Sequence, residues 1–163
     1  MNKITKEEIR RIIELSDAFG PSGMEDEVSA LVQKELDGVL ELKEDRMRNV
    51  RGILNPESKG PKIMLDAHLD EVGLIVQAVK PNGTMRFLPL GGMAAGNLPT
   101  SLFNIKARDG RMVPAAVTAK PPHFMSAAER NGAQAIEDMV LDCGSVSAEE
   151  TEEYYGLGIG SFG

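Results

Sequence analysis

Apolar positions along the chain follow two periods, helical at first and then alternating. Thr5 and Glu8 fit a capping box, in which each side chain serves a backbone N–H at a helix start. Ile9, Ile12 and Ile13 then recur at helical spacing, and Pro21-Ser22-Gly23 breaks the segment after Phe19-Gly20. A second helix is predicted from about Glu25. Val28, Leu31, Val32 and Leu36 share one face of it, and Asp37-Gly38 stops it. Residues 39–42 and 50–54 read as short strands. Ile63-Met64-Leu65 is a dense apolar run after Gly60-Pro61, and it predicts a strand buried on both faces of a parallel sheet. That strand leads straight into Asp66-Ala67-His68-Leu69-Asp70-Glu71.

Beyond Glu71 the pattern is β-rich. Residues 72–79 and 85–90 read as strands joined at Asn82-Gly83, a pair suited to a type I′ turn. Residues 91–100 read as loop. Residues 103–107 and 112–117 flank a second hairpin signal at Asp109-Gly110. Pro121-Pro122-His123 is a break, and 139–142 reads as one more strand. Ser147 and Glu150 form a second capping box, opening a short helix through Tyr155. No strand is predicted for 156–163. The fold class expected is therefore α/β: residues 1–71 begin an α/β domain, and residues 72–163 form a small β-rich domain.

Composition narrows the functional classes. Of 163 residues, 42% are hydrophobic and 26% charged, which is globular usage. Aromatics are only 4%, so the core must rest on Val, Ile, Leu, Met and Ala, and stacking platforms for bases are scarce. A net charge of −7 repels phosphate backbones and anionic membrane surfaces, so neither nucleic acid nor membrane is an expected partner. A single cysteine, Cys143, excludes an internal disulfide and a multi-cysteine zinc site, and reads as a small buried apolar residue. With no signal-peptide pattern and no bilayer-length apolar run, the expected location is cytoplasmic.

The chemistry centres on His68 and Asp70. Ligands sit at strand ends in open α/β sheets. Imidazole is the commonest metal ligand, and a nearby carboxylate fixes its tautomer by accepting the other ring N–H. The residues alone leave two readings open: a ligand with its orienter, or an ordinary polar strand end. Asp66, two residues before His68, shares its face if the strand continues that far. It reads either as a further supporting acid or, like Glu71, as a solvated carboxylate. His123 reads as a loop histidine making a local hydrogen bond. Glu149, Glu150, Glu152 and Glu153 read as a solvated face. A catalytic zinc needs three protein ligands and an open position, and no second ligand group stands out.

Several stretches resemble one family in order along the chain. Pro21-Ser22-Gly23-Met24-Glu25-Asp26-Glu27-Val28 is similar to the opening "SG-x-E-x-x-V" of the glutamyl and tetrahedral aminopeptidases, metallopeptidase family forty-two. Asn49-Val50 with Gly52 resembles the family's next strand, and Ala67-His68-Leu69-Asp70-Glu71-Val72-Gly73 its first metal motif. Lys120-Pro121-Pro122-His123 and Asp142-Cys143-Gly144-Ser145 resemble two later stretches. The resemblance implies a phosphorylase/hydrolase-like zinc-peptidase domain followed by a small β-barrel-like inserted dimerisation domain, here short of its last strand. It implies an aminopeptidase that removes N-terminal residues from peptides, with two Zn ions (or Co) per complete site and a homo-oligomeric assembly. Some relatives carry an endoglucanase label. His68 is the implied first zinc ligand, and Asp70 the catalytic acid that orients it. The remaining family ligands lie beyond the insert. The expectation is thus an N-terminal portion, inactive alone, with a non-catalytic interaction protein as the alternative.

Overall fold

The computed structural model describes residues 4–127, 132 and 134–163. They fall into two units, Met1–Asp70 and Glu71–Gly163.

In the first unit, α1 spans Lys6–Asp17 and α2 spans Asp26–Leu36. The capping box that starts α1 is formed as expected: Glu8 N donates to Thr5 Oγ1 at 3.1 Å, and Thr5 N donates to the Glu8 carboxylate at 2.6 Å. No residue of α1 is buried, and Ile9, Ile12 and Ile13 are exposed. Charge links the two helices. Arg10 bonds Glu7, Glu14 and Glu35, and Arg11 Nε meets Glu35 at 2.6 Å. Helix α2 buries Val28 and Ser29.

A small hairpin follows, of β1 (Leu42–Glu44) and β2 (Val50–Gly52), with Leu42 opposite Gly52 and Glu44 opposite Val50. The first strand starts at Leu42, not at 39 as the sequence suggested. Val39 N and Leu40 N still donate to Leu36 O, at 3.0 and 3.2 Å, so the chain is turning off α2 there. The second strand stops at Gly52, short of the expected 54.

The buried strand predicted at 63–65 is not present. Residues 61–70 are in neither a helix nor a strand. Ile63, Met64 and Leu65 are 84%, 87% and 94% exposed. A strand covered on both faces needs neighbours for its amides and elements over its side chains. Among the described residues nothing in this unit supplies either.

The second unit is built on a five-stranded antiparallel sheet. Its strands are β3 (Gly73–Val79), β4 (Met85–Leu90), β5 (Leu102–Lys106), β6 (Met112–Thr118) and β7 (Val140–Asp142), in the order β3-β4-β7-β6-β5. Period-2 alternation directs Leu74 and Val76, Met85 and Phe87, Ile105, Val113, Ala115 and Val117, and Leu141 into one core. Leu98, Met139 and Leu157 complete it from the connections. As composition required, the core is aliphatic and methionine-rich, with Phe87 its buried aromatic.

The first hairpin turns differently from the expected type I′. Gly83 has φ 84°, but Asn82 is not among the positive-φ residues. Gly83 N donates to Lys80 O at 2.9 Å, and Lys80 N to Thr84 O at 2.8 Å. The turn is therefore type I, centred on Pro81-Asn82, with Gly83 in the left-handed region after it. Pro81 favours this outcome: its ring fixes φ near −65°, which suits the first central position of type I, and as the residue before a type I′ turn it would have no N–H to close the strand pair. The second hairpin repeats the geometry, with Gly110 N donating to Ala107 O and Gly110 at φ 86°.

The segment beyond Tyr155, for which no strand was predicted, bridges the two edges of the sheet. On the β3 side, Leu74 and Gly163 exchange both backbone hydrogen bonds, at 2.7 and 3.0 Å, and Val76 N donates to Ser161 O at 2.8 Å. On the β5 side, Lys106 N donates to Phe162 O at 2.7 Å. The sheet is thereby curled shut. Before the bridge, residues Glu150–Tyr154 form a π-helical turn. Ser147 Oγ accepts from Glu150 N, but the Glu150 carboxylate accepts from Val146 N, so the predicted second capping box is only half made. Buried Thr151 and Ser145 hydroxyls both donate to Gly83 O, fastening this turn to the first hairpin.

Candidate functional site

Two stretches of the first unit converge, the helix break at 20–24 and the irregular segment at 68–70. At the break, Met24 N donates to Pro21 O at 2.8 Å and Gly23 has φ 93°. Pro21-Ser22-Gly23-Met24 is thus a type II turn, whose third position calls for glycine. Gly20 lets the chain before this turn pack on α2: a Cβ there would lie 2.6 Å from Val28 Cγ2. The Ser22 hydroxyl, at the second position of the turn, donates to Asp70 Oδ2.

The other Asp70 oxygen faces the histidine. His68 Nδ1 lies 2.8 Å from Asp70 O and 3.3 Å from Asp70 Oδ1. Both neighbours are acceptors, so in the neutral ring Nδ1 carries the proton and Nε2 keeps its lone pair. The imidazole is 85% exposed. The Ser22 hydrogen bond, opposed by partial burial and assisted by His68, holds the Asp70 carboxyl below its ordinary value. Asp70 therefore stays an acceptor across the neutral range, as an orienter must.

The other candidates do not join this pair. No strand runs through 66–68, so strand alternation does not bring Asp66 onto the face of His68, and Asp66 is exposed. His123 sits in a short 3₁₀ turn, exposed, with its ring 4.9 Å from that of Phe124. Glu149, Glu152 and Glu153 are exposed and Glu150 is half-buried. Cys143 is half-buried against the core, its thiol 3.5 Å from Ser145 Oγ. Among the described residues no three His, Cys, Asp or Glu side chains are placed to hold a metal together. The donor set present fits one imidazole ligand and its orienting acid. Sequence pattern does not single out Ser22 as a site residue; it stands only within the Pro-Ser-Gly break and the family-like opening motif.

Comparison with known proteins sets this pair in context. The model of the M42 glutamyl aminopeptidase family matches residues 49–163, a span that takes in His68, Asp70 and the whole curled sheet. The chain belongs to that family, as its motifs had suggested. It is 32% identical over 124 residues to the lysyl aminopeptidase of Pyrococcus furiosus, a match covering 76% of this chain and 35% of the relative. Its fold is similar to that of a TET aminopeptidase from the marine archaeon Thaumarchaeota archaeon SCGC AB-539-E09, with TM-score 0.88 and 32% identity over 96% of this chain and 44% of that one. It is also similar to Pyrococcus horikoshii TET1 peptidase, which can assemble into a tetrahedron or a large octahedral shell, with TM-score 0.78 and 25% identity over 94% of this chain and 45% of that one. The chain spans less than half the length of these proteins. No helix among the described residues is long and apolar enough to cross a membrane.

Proposed function

We propose that this chain carries the first metal-ligand limb of a zinc-dependent aminopeptidase that removes N-terminal residues from peptides. His68 is the ligand through Nε2, and Asp70 is the acid that orients it. The observation that carries this reading is the placement of Asp70 O and Oδ1 around Nδ1, which in the neutral ring leaves Nε2 with its lone pair on an exposed imidazole. Family membership supports it. A bound divalent metal supplies Lewis-acid polarisation of a peptide carbonyl and of water. The residues here hold one corner of such a site and fix the tautomer that can bind. The carboxylate also raises the basicity of the ring it steadies.

Self-association through the β-rich unit accompanies this reading. Leu88, Leu102, Met112 and Ile159 are exposed there, and an assembling peptidase shares the fold. Apolar side chains left outside a closed core are the usual material of such interfaces.

Titration with Co(II), followed by NMR of the two histidine rings, tests the ligand assignment. His68 resonances should broaden first and His123 should follow only at excess. Equal broadening of both rings, or none at His68, refutes it.

A further inference from the structure

The Pro-Ser-Gly break has a second use beyond stopping a helix. We propose that Ser22 is a positioning residue for His68, acting through Asp70. This inference rests on the proposed ligand role of His68, but it concerns the geometry of the pair and can be tested without metal.

The geometry is a relay of three side chains. Ser22 Oγ donates to Oδ2 of Asp70, and Oδ1 of the same carboxylate faces His68 Nδ1 at 3.3 Å. A carboxylate on two rotatable bonds can swing away from an exposed imidazole, because solvent competes for its oxygens. Pinning one oxygen removes most of that freedom and leaves the other aimed at the ring. The hydroxyl is itself fixed by backbone. It stands at the second position of a type II turn closed by the Met24 N to Pro21 O bond, between buried Pro21 and left-handed Gly23. Gly20, just before the turn, packs against α2, where a Cβ would come within 2.6 Å of Val28 Cγ2. Serine suits the position chemically. It is short, it donates to an ionised acceptor, and charge-assisted bonds of this kind are stronger than neutral ones. The Gly23 amide is engaged elsewhere, donating to Glu25 Oε1 at 2.6 Å, so in the turn the Asp70 bond belongs to the hydroxyl.

The role predicts a tautomer. With Ser22 in place, the neutral His68 ring holds its proton on Nδ1, where both Asp70 acceptors lie. Without it, the carboxylate turns to water and the Nε2–H form gains population. The chain has two histidines, so His123 serves as the internal reference.

The experiment is ¹⁵N NMR of the imidazoles in the full chain above the histidine titration range, for the parent, Ser22→Ala and Ser22→Thr. Alanine adopts the second position of a type II turn, so the backbone is preserved. The parent should show mainly Nδ1–H at His68. Ser22→Ala should move His68 toward Nε2–H with His123 unchanged, and Ser22→Thr, which keeps the hydroxyl, should restore the parent ratio. Two results overturn the proposal: an unchanged His68 ratio in Ser22→Ala, or the same displacement in Ser22→Thr as in Ser22→Ala, which would mark the effect as general disturbance of the loop. If the tautomer responds as expected while Co(II) ignores His68, the relay stands and the ligand assignment falls.

Discussion

The two halves of this chain satisfy their backbones in opposite ways. Residues 71–163 close a sheet on itself: both edges are engaged by the terminal segment, and the side chains between them form an aliphatic core. Residues 4–70 form two helices, a hairpin of two three-residue strands and a stretch without regular structure, with the apolar side of α1 and the run at Ile63, Met64 and Leu65 in solvent. The first half is held by charge and capping, the second by apolar burial. Apolar pattern alone therefore does not decide burial. Both halves have it, and only the half whose strand edges find partners converts it into a core.

The largest effect should come from cutting into that core. Leu141 is fully buried at the centre of the sheet, on the strand between β4 and β6. Leu141→Ala should cost about 2–5 kcal/mol. Chemical denaturation should show the sheet transition moving to much lower denaturant while the helical signal of the first half keeps its midpoint. If both move together, the two regions are one cooperative unit and the contrast drawn above is wrong.

A smaller effect, in the other half, should come from acid. Hydrogen bonding to Arg10, with help from Arg11 and against some burial, holds the Glu35 carboxyl below its ordinary value of 4.5. Glu7 is lowered in the same direction, chiefly by Arg10. A carboxyl whose folded value is depressed binds fewer protons folded than unfolded. Its contribution is complete above pH 4.5 and fades as pH falls through the lower folded value. Far-UV circular dichroism should show helix loss below about pH 4.5, partly reproduced at neutral pH by 1 M salt, where the screening length is about 3 Å. Near-UV signals of the sheet unit should outlast it.

The smallest change in stability should follow an exposed substitution on the sheet itself. Leu102 is 75% exposed on β5. Leu102→Ser should alter stability by less than about 0.5 kcal/mol. If this face joins copies of the chain, light scattering should still report a lower mass at high concentration. An unchanged mass would remove Leu102 from any such interface.

Much of this was legible in the residues, for physical reasons that can be named. Thr5 and Glu8 act within four residues of each other, so a local rule suffices. Residues 85–90 and the Asp109-Gly110 turn were readable because alternation and a left-handed glycine are local too. The turn type at Pro81-Asn82-Gly83 was misread because the proline preceding the familiar pair sets the geometry. What failed was non-local. Ile63-Met64-Leu65 has the composition of a buried strand, but burial depends on distant partners. Gly156-Leu157-Gly158-Ile159-Gly160-Ser161 has little β propensity, yet it is held between two strand edges by backbone bonds that sequence pattern does not encode. His68 and Asp70 are two residues apart, so their contact is a local matter, whereas Ser22 lies 48 residues from the carboxylate it meets and nothing local announces that contact.

The paired amides of Leu74 and Gly163 have one more consequence. A polypeptide that enters and leaves a folded body at adjoining points can be spliced into a surface loop of a host without stretching it, since the host sees a gap of a single strand spacing, about 4.8 Å. The β-rich half thus has its two ends side by side, and a short linker joining them should leave the sheet undisturbed.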